Sequence, residues 1–125
     1  MREIKFSVPG HPIGKQRPRV FTHRQSGKVM AMTPKKTAAY EDNISYGYIS
    51  MSRGYRFPDK TKIRLDVVAY FKNDRRSDAN NVYRLVADAL EKIAYENDKY
   101  VVGSCDYFID KENPRLEVTV GPYVE

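Results

Sequence analysis

Asp78, Asn80, Asn81, Arg84 and Asp88 follow one another on one short stretch, and Glu96, Asn97 and Asp98 come a little later. Carboxylates and carboxamides offer hard oxygen donors. Magnesium takes one or two carboxylates together with waters and phosphate oxygens. With Arg75, Arg76 and Arg84 beside them, these residues point to chemistry on a phosphate. Each also has a plainer assignment: Asp78 as a helix N-cap, Asn81 as a turn residue, Asp98 as a loop acid. No His pair, Cys pair or Ser-His-Asp arrangement competes, and the single Cys105 builds neither a disulfide nor a thiolate zinc site.

The elements that must position these groups can be read from periodicity. Val82, Leu85, Val86, Ala89, Leu90 and Ile93 follow a helical stripe, with Asp78 or Ser77 able to cap it. Asn80, Asn81, Arg84, Asp88 and Glu91 then fall on the opposite face. A helix of roughly 16 residues is about 24 Å long, so Asp78 and Asp98 meet only if the loop after the helix folds back or a strand brings Asp98 over the helix start. An earlier helix opens at Thr33-Pro34, carries Tyr40, Ile44, Tyr48 and Met51 on one stripe, and closes by Gly54 and Pro58. Ile4, Phe6 and Val8 alternate in a first strand over residues 2 to 8, and residues 62 to 72 give another. Two more strands are expected over residues 100 to 109 and 115 to 121. Between the first strand and first helix runs a long irregular stretch, with a short hairpin flanking Ser26-Gly27. The order β, loop, α, β, α, β, β predicts a single α+β domain with a small mixed sheet over residues 1–125.

Charge divides the chain. Nine Lys and Arg stand against Glu3 alone up to Lys36, a net of +8 within a total of +6. Between Glu3 and Glu41 there is no carboxylate. Such an arm raises the local concentration of polyanions, and nucleic acid is the leading one. Lys15, Arg17, Arg19, Arg24, Lys28, Lys35 and Lys36, with Arg75 and Arg76, are the expected DNA contacts. His11 and His23, in the same arm, face solvent or phosphate, and Phe21 is either an aromatic wedge or a minor core residue. No apolar run is long enough for a membrane span, and residues 1 to 10 lack the apolar centre of a secretory signal, which makes the cytoplasm the expected location.

Asp78-Ala79-Asn80-Asn81-Val82-Tyr83-Arg84, then Asp88-Ala89-Leu90, then Tyr95-Glu96-Asn97-Asp98 resemble the RusA family of Holliday-junction resolvases. The basic phrase from Pro12 to Arg19, with Thr33-Pro34 and Tyr40-Glu41, is similar too. The resemblance implies a homodimeric endonuclease, dependent on Mg²⁺ with Mn²⁺ as a substitute, that nicks opposed strands of four-way DNA junctions in recombination and repair. By position, it implies Asp78, Asn80, Arg84 and Asp98 as catalytic residues, and Asp78, Asn80, Asn97 and Asp98 as metal ligands. Asn80 and Asn97 stand where the family has aspartates, and Arg84 where it has a lysine. The site thereby loses two negative charges, while Arg84 keeps a cation that can grip a phosphate in bidentate fashion. Three explanations fit Asn80: a sparser metal shell helped by Asp74, Glu96 or Asp88, a protein that binds DNA without cutting, or a replacement that traps an inactive form. Asp88 is expected to pair with Arg84 one turn earlier. The competing classes are a junction or duplex binder with little or no cleavage, and a basic structural protein.

If the arm holds DNA by its phosphates, affinity falls by roughly 10³-fold or more between about 50 and 200 mM salt. A gel shift across that range checks this, and a flat response rules the phosphate contacts out.

Overall fold

In the computed structural model, residues 2–15, 19–22, 29–32 and 35–124 are described, the two short segments by their backbone. Strand β1 (Ile4–Pro9) buries Ile4, Phe6 and Val8 and turns the intervening residues outward, as its alternation predicts. The expected hairpin is present as β2 (Arg19–Thr22) paired antiparallel with β3 (Val29–Met32) in a sheet of its own. Helix α1 (Lys35–Ser52) follows, then β4 (Ile63–Phe71), helix α2 (Ala79–Leu90), a 3-10 turn at Asp98–Tyr100, β5 (Val101–Ile109) and β6 (Arg115–Pro122). The expected helix start at Thr33-Pro34 lies outside the described residues.

The four long strands form one mixed sheet in the order β1-β6-β4-β5. β6 pairs antiparallel with both β1 and β4, so it inserts between them and does not join its sequence neighbour β5. β5 pairs parallel with β4, Ile63 opposite Val101 and Phe71 opposite Ile109. Parallel neighbours need a crossover connection, and α2 supplies it. The core lies between the helices and one sheet face, from Ile4, Phe6 and Val8 across Leu116, Val118 and Val120 to Ile63, Leu65, Val67, Ala69 and Phe71.

Two expectations about the helices change. Met51 is 59% exposed, and the buried stripe of α1 runs through Thr37, Tyr40, Ile44, Tyr48 and Ser52. Ser52 lies a helical i+4 step from Tyr48 and so stays on the sheet-facing row, while Met51 is rotated to its side. α2 ends at Leu90, a turn before Ile93, because Glu91 takes an extended ψ of 136° and Lys92 a left-handed φ of 71°, neither of which continues a helix. Ile93 still packs against the core from the turn beyond.

One glycine is required by the parallel pairing. Gly103 of β5 has φ 153°, and a Cβ there would lie 1.7 Å from the Leu65 carbonyl oxygen on β4. Relief would need the two strands to part. Gly103→Ala is therefore expected to destabilise the fold by about 2–4 kcal/mol, a steric strain of the overpacking kind. Urea denaturation measures it, and a midpoint within error of the parent chain rules the argument out.

Candidate functional site

The Asp78 end of α2 is assembled from three segments. Asp78 is the N-cap, and its Oδ1 accepts the Asn80 backbone N–H at 2.7 Å, which satisfies one of the open donors of the first turn. The basic arm is fastened alongside. The Gly14 N–H donates to Ser77 Oγ at 3.0 Å, and the Lys15 N–H donates to the Asn81 carbonyl at 2.9 Å. Gly14 is buried so closely that an added Cβ would lie 2.8 Å from that of Ser77 and 3.0 Å from that of Asn81. From this strap the Lys15 Nζ reaches Asp88 at 2.9 Å and Glu41 at 3.7 Å. The hydrogen bond to Asp88 and the two negative charges raise the lysine pKa against its partial burial.

Asp88 therefore pairs with Lys15, and the expected Arg84–Asp88 pair is replaced. The physical reason is the strap, which carries a cation from the far side of the sequence to the helix face. Arg84, Asn80 and Asp78 stay exposed on that face. Beside them lies a cleft of about 550 Å³ whose lining includes His11, Lys36, Tyr40, Arg75 and Ser77. Lys36 and Arg75, both expected DNA contacts, thus meet at one concavity. Lys35 and Lys36 are exposed in the first turn of α1, where a helix dipole disfavours cations. That placement makes them available to an anion. The Arg76 guanidinium lies 3.8 Å from the Tyr107 ring centre. His11 is half-buried, its Nδ1 accepting the Lys72 N–H at 2.9 Å and its ring edge-on to Phe71. Arg17, Arg24, Lys28 and His23 lie outside the described residues, as do the side chains of Arg19 and Phe21.

Asp98 is elsewhere. It opens the 3-10 turn behind Asn97, whose Oδ1 accepts the Lys99 N–H at 2.9 Å. Its own N–H donates to Glu91 Oε2 at 2.9 Å, just past the C-terminal end of α2. Partial burial, then the negative charges of Glu91 and Asp88, hold its carboxyl above the usual value. Twelve residues of helix, about 18 Å, separate this end from Asp78. The chain does not fold back to join the two. Glu96 is engaged by Arg56 and Lys92. Among the described residues, no three His, Cys, Asp or Glu side chains gather closely enough to hold a metal ion.

The donors that the spacing singled out are hard oxygens of the kind Mg²⁺ takes, but within one chain they fall into two separate groups at opposite ends of α2. Sequence reasoning named Glu91, Glu41 and Ser77 but missed the partners they take here, Asp98, Lys15 and Gly14. Only the charge of Glu91 on the polar stripe of α2 hinted at its place, because the other two act across elements distant in sequence.

Fold and site together define an α+β domain with a basic arm strapped to an acid-and-amide-bearing crossover helix. A family model described as "Endodeoxyribonuclease RusA" matches residues 9–121, nearly the whole chain. The protein belongs to the RusA family, whose activity is that of Holliday-junction resolving nucleases and whose members generally depend on a divalent metal. A search of curated proteins returned no significant match. Among the described residues no helix is long and apolar enough to cross a membrane.

The environment of Asp98 has a measurable consequence. A carboxyl whose folded pKa is raised favours folding while protonated, and this contribution is lost as pH rises through the folded pKa. Asp98→Asn is therefore expected to raise the urea midpoint at pH 7 relative to the parent, with little change near pH 3. A midpoint lowered at pH 7 contradicts the repulsion from Glu91 and Asp88.

Proposed function

We propose that this protein is a divalent-metal-dependent, homodimeric endonuclease that binds four-way DNA junctions and nicks opposed strands. The observation that carries the reading is the strap. The Gly14 and Lys15 amides hold the basic arm against the helix start that bears Asp78, Asn80 and Arg84, so phosphate-holding charge and hydrolytic groups share one surface. Lys35, Lys36, Arg75 and Arg76 grip backbone phosphates, with Arg17, Arg19, Arg24 and Lys28 on the same arm, while Lys15, also expected as a contact, is held by Asp88 and Glu41. Contacts of this type carry no base information, which suits recognition of a branched shape.

Asp78 and Asp98 would hold a divalent metal as charged ligands, with Asn80 and Asn97 as neutral ones, and Mg²⁺ or Mn²⁺ bound there would supply charge stabilisation on the phosphate and lower the pKa of the attacking water. Arg84 neutralises the scissile phosphate through its planar guanidinium. Because Asp78 and Asp98 stand at opposite ends of α2, a ligand set that uses both draws them from two copies. A two-fold dimer then has two such sites for the two strands of a junction. The alternative, binding with little cleavage, is favoured by one feature: Asn80 and Asn97 bring oxygen but no charge.

A synthetic four-way junction incubated in Mg²⁺ or Mn²⁺ tests the reading, with paired symmetric nicks expected. Retarded but uncut DNA supports the binder, and cutting regained by Asn80→Asp would trace the loss to one ligand. Mixing inactive Asp78→Asn and Asp98→Asn chains tests the two-copy site, since one intact site per mixed dimer restores nicking of one strand. A mixture as dead as its components places both aspartates in a single-chain site.

A further inference from the structure

We infer that the cleft beside Asp78 is a pocket for one unstacked nucleotide of the bound DNA strand, entered only where base pairing is already interrupted. This rests on the nuclease reading and deepens it, naming a contact at the branch point that the phosphate grip does not provide.

The cleft lies between the first turns of α1, the strap and the loop that leads into α2, and its volume of about 550 Å³ is that of a small-ligand site. None of its lining residues is acidic. Lys36 and Arg75, both exposed, supply charge for a phosphate. Pro12, Ile13 and Ala39 give an apolar surface that suits the flat face of a base. Cations alone would hold any anion, whereas cations beside an apolar recess match a nucleotide. The concavity lined by α1, β1, β4 and β6 holds Asp66 and Glu117 against Lys5 alone, a balance that turns a polyanion away.

Three polar groups of the cleft can read a base edge. His11 Nδ1 accepts the Lys72 N–H at 2.9 Å, so the ring proton sits on Nε2 and makes that nitrogen a donor. Ser77 Oγ already accepts the Gly14 N–H, which leaves its hydroxyl proton to donate. The Asn43 carboxamide, one turn beyond Ala39, brings both a donor and an acceptor. The strap wall is fixed before any DNA arrives. The Gly10, Gly14 and Lys15 amides donate to the Pro114 carbonyl, Ser77 Oγ and the Asn81 carbonyl, and His11 is pinned by Lys72. Such preorganisation lowers the ordering cost of binding.

Size and stacking decide what enters. A base pair within a continuous duplex is too large for the recess, whereas a single nucleotide fits once it leaves the stack. Leaving the stack is costly in intact duplex and least so where pairing is already broken. A four-way junction offers such nucleotides at its centre, and a linear duplex does not. Ser77 directly precedes Asp78, so an occupant of the cleft is a close neighbour, along the strand, of the phosphate presented to Asp78. The pocket thereby adds discrimination that phosphate contacts cannot supply.

Four-way junctions carrying one 4-thiothymidine, placed in turn at each branch-point position and within the arms, are bound without divalent metal and irradiated. Crosslinks are expected from a branch-point position only, and peptide mapping should place them in residues 11–13 or 36–43. Equal crosslinking from the arms or from a linear duplex, or crosslinks that map elsewhere, overturns the pocket. Ala39→Leu combined with Asn43→Leu narrows the recess on an exposed helix face without adding charge. It is expected to weaken junction binding about tenfold, the scale of one base contact, and to leave linear-duplex affinity unchanged. Equal losses on both substrates, or none on either, overturn the proposal. Free thymidine monophosphate separates the two sources of the ligand: if it protects the cleft while no branch-point nucleotide crosslinks, the site serves a free nucleotide and the proposal falls. Uncut DNA is read throughout, which keeps the two readings apart. Crosslinking by a protein that never nicks sinks the nuclease and leaves the pocket, whereas nicking without the crosslink sinks only the pocket.

Discussion

The parallel pairing of β4 with β5 is the constraint on which the rest depends. Two parallel neighbours oblige the chain to return the full length of the sheet before the second strand can begin, and α2 makes that return. Its N-terminus must then lie at one end of the sheet and its C-terminus at the other. Everything attached to those ends inherits the separation. Asp78 caps one end and Asp98 opens the turn beyond the other, and no local rearrangement brings them together without breaking the ladder. The bare backbone at Gly103 belongs to the same constraint, since it lets β5 approach the Leu65 carbonyl.

A second layer of organisation is electrostatic. The residues up to Lys36 hold all of the excess positive charge, and the remainder of the chain is slightly acidic. Two backbone hydrogen bonds, from Gly14 and Lys15, bind the arm to α2 without consuming its cations, because the donors are amides. Lys15 is drawn inward, bridging Glu41 of α1 and Asp88 of α2. It ties the two helices together beneath the surface on which Lys36 and Arg75 remain open to an anion. An exposed ion pair of this sort contributes little to stability, and its value is in positioning.

Legibility followed the range of the interaction. The strand of Ile4, Phe6 and Val8 and the stripe from Val82 to Leu90 could be read because burial on one face writes a short period into neighbouring residues. The cap at Asp78 was legible for the same reason, its partner being two residues away. The end of α2 was not, because the left-handed turn at Lys92 has no glycine to announce it. The partner of Asp88 was misread, since an i,i+4 arginine looked sufficient and the lysine that wins comes from far upstream. Another concavity among the described residues, about 960 Å³ and lined by α1, β1, β4 and β6, left no trace in the sequence and holds none of the chemistry-bearing residues.

The sequence by itself determined the α+β class, the basic arm, the oxygen-donor residues and membership of the RusA family, because each is written in residue type and near spacing. Only the tertiary structure decided which ends of the sheet those donors occupy. It also decided that β6 lies between β1 and β4, that Lys15 turns inward, and that β5 stays open along its outer side. Strand order and parallel pairing are choices among long-range contacts of similar local cost. No short stretch of residues encodes them, and it is the packing of the whole chain that selects one.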